Sequence, residues 1–136
     1  MQDPEYLLDT NICIYIRRER PQSVLERFQG LAPGSTAISV VTYGELAYGA
    51  CKSGNAEQAT SILQQLVTLV PVLPMDTAVV RAYGAIRHDL ARRGETIGNN
   101  DLWIAAHAAS LGLTLVTNNL REFRRVRDLK VENWVS

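Results

Sequence analysis

Three carboxylates in this chain sit where a charge is costly, inside apolar sequence. Asp9 follows Tyr6-Leu7-Leu8, Glu45 lies within Val40-Val41-Thr42-Tyr43-Gly44-Glu45-Leu46-Ala47, and Asp101 precedes Leu102-Trp103-Ile104-Ala105-Ala106. Carboxylates brought together repel unless a cation joins them or one takes up a proton. A hard divalent ion such as Mg2+ or Mn2+ suits oxygen ligands. It can also activate water and screen a phosphodiester, which is the logic of metal-assisted hydrolysis. Each residue also has a plainer reading. Asp9 can cap a helix, Asp101 can complement a helix dipole, Glu45 can be a half-exposed helical glutamate, and Asn118-Asn119 can be a turn. The chemistry therefore depends on whether the fold gathers these groups.

The elements that must position them follow from pattern. Tyr6-Leu7-Leu8 reads as a short buried strand ending at Asp9, with a helix from about Ile12. Pro21 opens a second helical stretch that Gly30 follows. Thr36-Ala37-Ile38-Ser39 reads as a strand leading into a helix from about Val41 to Cys51, and Asn55 to Val70 is amphipathic. Val72-Leu73, between Pro71 and Pro74, leaves room only for a very short strand. Asp76 caps a helix stopped by Gly94, and Asn100-Asp101 opens one that Gly112 ends. Leu113 to Val116 is a β run finishing at Thr117-Asn118-Asn119; a short helix near Leu120 to Phe123 and a last strand near Lys130 to Glu132 follow. Strands alternating with helices imply an α/β fold with a mainly parallel sheet covered on both faces. In such a sheet the carboxyl ends of the strands line the ligand crevice. Asp9 and Asn118-Asn119 fall at such ends, and Glu45 and Asp101 are expected in the first turns of helices that could reach the same edge.

Bulk properties narrow the class. A chain of 136 residues, 46% hydrophobic and 21% charged, suits one soluble domain over residues 1–136. No apolar run is long enough for a membrane span. The start, Met1-Gln2-Asp3-Pro4-Glu5, is acidic and lacks the apolar core of a signal peptide, so a cytoplasmic protein is expected. Cys13 and Cys51 form neither a disulfide framework nor a zinc signature and are read as buried thiols. Net charge is zero, so no global basic field marks a nucleic-acid binder. Arginine nevertheless outnumbers lysine twelve to two, with Arg121, Arg124, Arg125 and Arg127 crowded near the carboxyl end. His88 and His107 lack metal-ligand spacing and are read as structural, and Trp103 as a packing residue.

Taken in order, four segments resemble the PIN domain, specifically the VapC toxins. They are Tyr6-Leu7-Leu8-Asp9-Thr10-Asn11, Ile38 to Leu46, Ile97 to Ala108, and Leu115-Val116-Thr117-Asn118-Asn119-Leu120-Arg121-Glu122-Phe123. With Val131-Glu132-Asn133-Trp134, the likeness spans nearly the whole chain. The resemblance implies a three-layer α/β/α sandwich and metal-dependent endonucleolytic hydrolysis of structured RNA, tRNA in particular, leaving a 5′-phosphate and a 3′-hydroxyl. It implies Asp9 and Asp101 as direct ligands of Mg2+ or Mn2+, with Glu45 a ligand directly or through water. Where the family often carries a fourth aspartate this chain has Asn119, which removes a negative charge. Glu122 is a neighbouring carboxylate that could stand in, although a helical glutamate is ordinarily solvated. Thr10, Asn11 and Thr117 are implied to orient the site, and Arg121, Arg124 and Arg125 are candidates for RNA backbone contacts. The resemblance further implies a homodimer silenced by a VapB-like antitoxin whose tail offers an arginine to the acidic groups.

Two other functions compete. An aspartyl-phosphate phosphotransferase also places an aspartate after its first strand, but commonly has a second one where this chain has Asn11, and no downstream lysine fits. A non-catalytic RNA-binding module would explain Asn119 but not the retention of Asp9, Glu45 and Asp101.

Overall fold

The computed structural model describes residues 3–135; Met1, Gln2 and Ser136, and with them the first two residues of the acidic start, lie outside the described residues. The chain runs β1 (Tyr6–Leu8), α1 (Thr10–Arg18), α2 (Gln22–Gln29), β2 (Thr36–Ser39), α3 (Val40–Cys51), α4 (Ala56–Leu69) and β3 (Val72–Leu73). It continues through α5 (Thr77–Arg93), α6 (Asn99–Leu111), β4 (Thr114–Val116), α7 (Leu120–Phe123) and β5 (Val131–Glu132).

The five strands lie in the order β3-β2-β1-β4-β5, and every pairing is parallel. Leu7 sits opposite Ala37 on β2 and Leu115 on β4. Adjacent strand residues point to opposite faces, and the two cores divide accordingly. Leu8, Ile38 and Val116 pack with Ile12, Val24, Leu46, Leu63 and Leu66, so α1 to α4 cover one face. Leu7, Ala37 and Leu115 pack with Leu90, Leu102, Ile104, Ala105 and Phe123, so α5 to α7 cover the other. The result is the expected three-layer α/β/α arrangement. Ile104 is fully buried at the centre of the second layer. Ile104→Ala should cost about 2–5 kcal/mol, read as a lower urea midpoint at unchanged slope.

Chain order and strand order diverge between β1 and β4. From β1 the chain steps outward to β2 and β3, then returns to β4 on the other side. A crevice opens at such a switch point, at the carboxyl ends of the strands.

Side-chain caps set the helix starts a little earlier than periodicity suggests. The Asp9 carboxylate accepts the Thr10 N–H, so α1 begins at Thr10 rather than near Ile12. Ser39 Oγ accepts the Val41 N–H, so α3 begins at Val40. Starting there, α3 carries Glu45 in its second turn, not its first. Gly94 and Gly112 end α5 and α6 at φ of 70° and 67°, left-handed angles that glycine adopts without a Cβ penalty. One cysteine departs from expectation. Cys13 is buried and its thiol pKa is pushed up by desolvation, whereas Cys51, at the end of α3, is exposed.

Candidate active site

Asp9 marks the crevice. Its backbone N–H donates to the Val116 carbonyl, which ties the end of β1 to β4, while its side chain is only 6% exposed. Two donors hold the carboxylate, the Thr10 N–H and the Thr117 hydroxyl, each at 2.8 Å. Thr117 Oγ1 in turn accepts the Asn119 N–H at 2.9 Å. A single hydroxyl therefore fixes both the aspartate after β1 and the turn after β4. Thr117→Val should strand both partners, costing about 1–3 kcal/mol of stability. An amide chemical-shift change at Asn119 would show that the turn had moved.

Glu45 reaches the same edge from α3. Thr10 donates its hydroxyl to Glu45 Oε1 at 2.6 Å, so α1 and α3 meet through a hydrogen bond across 35 residues of sequence. Asn100 Nδ2 approaches the other Glu45 oxygen at 3.5 Å. Asp101, on the first turn of α6, and Glu122 from α7 approach the same side of Gly98, and Glu122 is the carboxylate that acts most strongly on Asp101. Glu122 Oε1 accepts the Gly98 N–H at 3.0 Å, and its Oε2 accepts Asn119 Nδ2 at 2.5 Å. Gly98 borders both carboxylates: a Cβ on it would stand in ordinary contact, 3.7 Å from Asp101 Oδ2 and 3.9 Å from Glu122 Oε1.

Asp9 feels the charges of Glu45 and Glu122, and Asp101 feels those of Glu122, Asp9 and Glu45. Burial, opposed by the Thr117 and Thr10 hydrogen bonds, raises the Asp9 pKa, and Glu45 and Glu122 raise it further. Burial, then Glu122, Asp9 and Glu45, push Asp101 up to about 7. Among the described residues none of these four carboxylates has an ion pair; the arginines that do form one, Arg27, Arg92, Arg93 and Arg127, pair with Asp89, Glu95 and Glu132. The result is negative charge concentrated without a cation, supplied entirely by hard oxygen donors. That donor set fits Mg2+ or Mn2+. As placed, no three of the groups draw tightly enough together among the described residues to enclose an ion. The fit is one of charge and donor type.

The other expected residues divide. Asn119 joins the acidic group through Glu122, whereas Asn11 turns to Asn118 Oδ1 at 3.4 Å and Asn118 donates to the Tyr15 hydroxyl at 2.8 Å. Arg121, on α7, and Arg124, just after it, are exposed. Arg125 donates to the Thr96 carbonyl at 2.9 Å and its own carbonyl accepts Arg93, so it braces the segment before α6. His107 is fully buried, touching Ser39 Oγ through Nδ1 at 2.8 Å, and desolvation lowers its pKa. Trp103 stacks on Tyr83 with ring centroids 3.8 Å apart. Two participants carry no sequence signature: the Gly98 N–H, a backbone group, and Asn100, whose link to Glu45 exists only after α3 and α6 are packed.

Residues 6–129 match the PIN-domain family. The chain is 44% identical to Ribonuclease VapC2 of Haemophilus influenzae over 131 residues, covering 96% of this chain and 98% of that protein. It is 46% identical to the tRNA(fMet)-specific endonuclease VapC of Shigella flexneri over 130 residues, covering 96% and 98%. Among solved structures, a DNA-bound VapBC from Salmonella typhimurium superposes with a TM-score of 0.91 at 40% identity, over 96% of this chain and 98% of that one. With the motifs, the parallel sheet and the acidic crevice all in agreement, the chain belongs to the PIN-domain family as a VapC-type ribonuclease toxin.

Proposed function

We propose that this protein is a Mg2+- or Mn2+-dependent endoribonuclease that cuts structured RNA, tRNA first among them, and stops growth until an antitoxin neutralises it. The observation that carries this reading is the concentration of Asp9, Glu45, Asp101 and Glu122 at the switch point, with no cationic side chain among the described residues paired to them. Asp9, Asp101 and Glu45 would hold the ion, which when bound supplies positive charge against the phosphate and lowers the pKa of water.

The chain's own groups then have distinct tasks. Thr117 and the Thr10 N–H keep the Asp9 oxygens fixed, and the Thr10 hydroxyl keeps Glu45 aimed at the crevice. Asn119 and the Gly98 N–H hold Glu122, so the position that lost an aspartate still orients a carboxylate. Arg121 and Arg124 are free to meet the RNA backbone, and Arg125 contributes indirectly by holding the Thr96 segment. The VapBC of Salmonella typhimurium, so similar in fold, supports a VapB-like partner for this chain; the homodimer is what the family resemblance implies. An antitoxin arginine placed among the four carboxylates would replace the cation and silence the site.

The test is direct. Pure protein incubated with bulk tRNA and Mg2+ should yield discrete fragments bearing 5′-phosphates, and EDTA should stop the reaction. Intact tRNA under both conditions overturns the reading.

A further inference from the structure

A cavity of about 290 Å³ adjoins the acidic crevice and shares Thr10 and Glu45 with it. It runs between α1, α3 and α4. Ile14, Leu46 and Ile62 supply apolar wall, and Arg17, Ser53 and Gln58 supply polar groups. A second hollow lies on the other side of Glu45, lined in part by Tyr48, Lys52 and Asn100 and sharing Thr10, Ile14, Glu45 and Gly49 with the first. Lys52 Nζ stands 4.9 Å from the Tyr48 ring centroid, so this side offers an aromatic face and a cation together.

Gly49 is the telling residue. It lies one turn beyond Glu45 on the same face of α3, inside the helix, where glycine is a poor helix former. Its backbone is not in the left-handed region, and a Cβ there would meet no atom within 4 Å. Neither chain geometry nor packing requires a glycine, yet its missing side chain keeps both hollows open beside Glu45.

Resting on the nuclease reading above, we propose that the cavity beside Gly49 receives one unstacked nucleobase of the RNA, next to the phosphodiester held at Asp9, Glu45 and Asp101. Sequence-specific recognition of RNA works on splayed-out bases in loops, which stack on planar or apolar groups and hydrogen-bond along their edges. The apolar walls take the base faces. The Gln58 amide, with both donor and acceptor, reads an edge, and Arg17, which has no ion pair among the described residues, neutralises the flanking phosphate. The strand then crosses Glu45 toward Tyr48 and Lys52, so bases on both sides of the cut find a surface. This cavity thereby determines which loop is cut.

The test begins by locating the cut in tRNA with the wild-type protein; if nothing is cut, the nuclease reading falls and this proposal with it. A hairpin carrying the cut site is then made with single abasic nucleotides at each loop position. Binding is measured with the Asp9→Asn protein, so that affinity is read without cleavage. One abasic position beside the cut should weaken binding about 5- to 150-fold, the range for losing one stacked base. With Gly49→Leu added, the cavity is filled and that position should no longer matter, because intact and abasic hairpins bind alike. Leucine is a better helix former than glycine, so this variant should melt at or above the parent temperature. Gln58→Ala, at an exposed helix position, should instead change which base is preferred there. Unaltered discrimination in both variants overturns the proposal. So does unaltered RNA binding accompanied by escape from the antitoxin, which would make the cavity a groove for protein.

Discussion

Asp9→Asn should abolish metal-dependent RNA cleavage, by about a thousand-fold or more, while leaving the fold as stable as before. The two effects separate because Asp9 has two jobs. As the cap of α1 it accepts the Thr10 N–H, which an asparagine carbonyl oxygen does equally well. Toward Thr117, the new amide can donate where the carboxylate accepted, since the Thr117 oxygen has lone pairs to spare. Burial raises the Asp9 pKa, so a neutral side chain there also relieves a desolvation penalty. A neutral amide does not replace a buried anion at a cation site, however, and losing one preorganised electrostatic group costs about 10²–10³ in rate even where no metal is involved. The same variant should lose the rise in melting temperature that Mg2+ or Mn2+ gives by binding the native state. Cleavage within tenfold of the parent would remove Asp9 from the mechanism.

That site was partly legible in the chain and partly not, for physical reasons. Asp9 could be placed because an apolar strand followed by Asp-Thr-Asn is both a strand end and a helix cap, and both signals are local. The parallel order of strands followed from their alternation with helices. So did the cover of helices on both faces, but not which layer each strand residue enters: β1 has three residues, too few to display the alternation that sends Leu7 and Leu8 to opposite layers. Glu45 looked like a first-turn residue, and its orientation was beyond reach because it depends on a hydroxyl 35 positions away. Glu122 looked solvated, since nothing in Leu120-Arg121-Glu122-Phe123 announces that the Gly98 N–H and Asn119 Nδ2 will hold it against Asp101. Cys51 is exposed rather than buried because a residue ending an apolar helix can still face water once that helix stops. Arg125, read from clustering as a candidate for RNA contact, also donates to the Thr96 carbonyl, a bond that exists only once the segment before α6 is packed. Local chemistry was readable; contacts made by the packing of distant elements were not.

The second large effect concerns protons. Asp101 titrates at about 7 in the folded chain and near its ordinary value of 3.8 in the unfolded one, so across that window the native state holds the extra proton. Stability therefore falls as pH rises when the folded state binds more protons. This contribution is fully present below about pH 4 and is lost as pH passes through about 7. Asp9, also raised, adds in the same direction. His107 opposes them: its lowered pKa means that the buried ring stays neutral, so acid below its ordinary value of 6.5 disfavours the native state. The clean quantity is thus the melting temperature of the parent minus that of Asp101→Asn, measured without metal from pH 4.5 to 8. It should decline by several degrees as pH rises, because the variant has no charge to suppress at that position. A divalent ion competes with the proton for the same oxygens, so Mg2+ should raise the parent's melting temperature more at pH 8 than at pH 5. A difference curve flat across this range would mean that Asp101 is ionised throughout, and that Glu122 and Asp9 stand too far from it to compel either a proton or a cation.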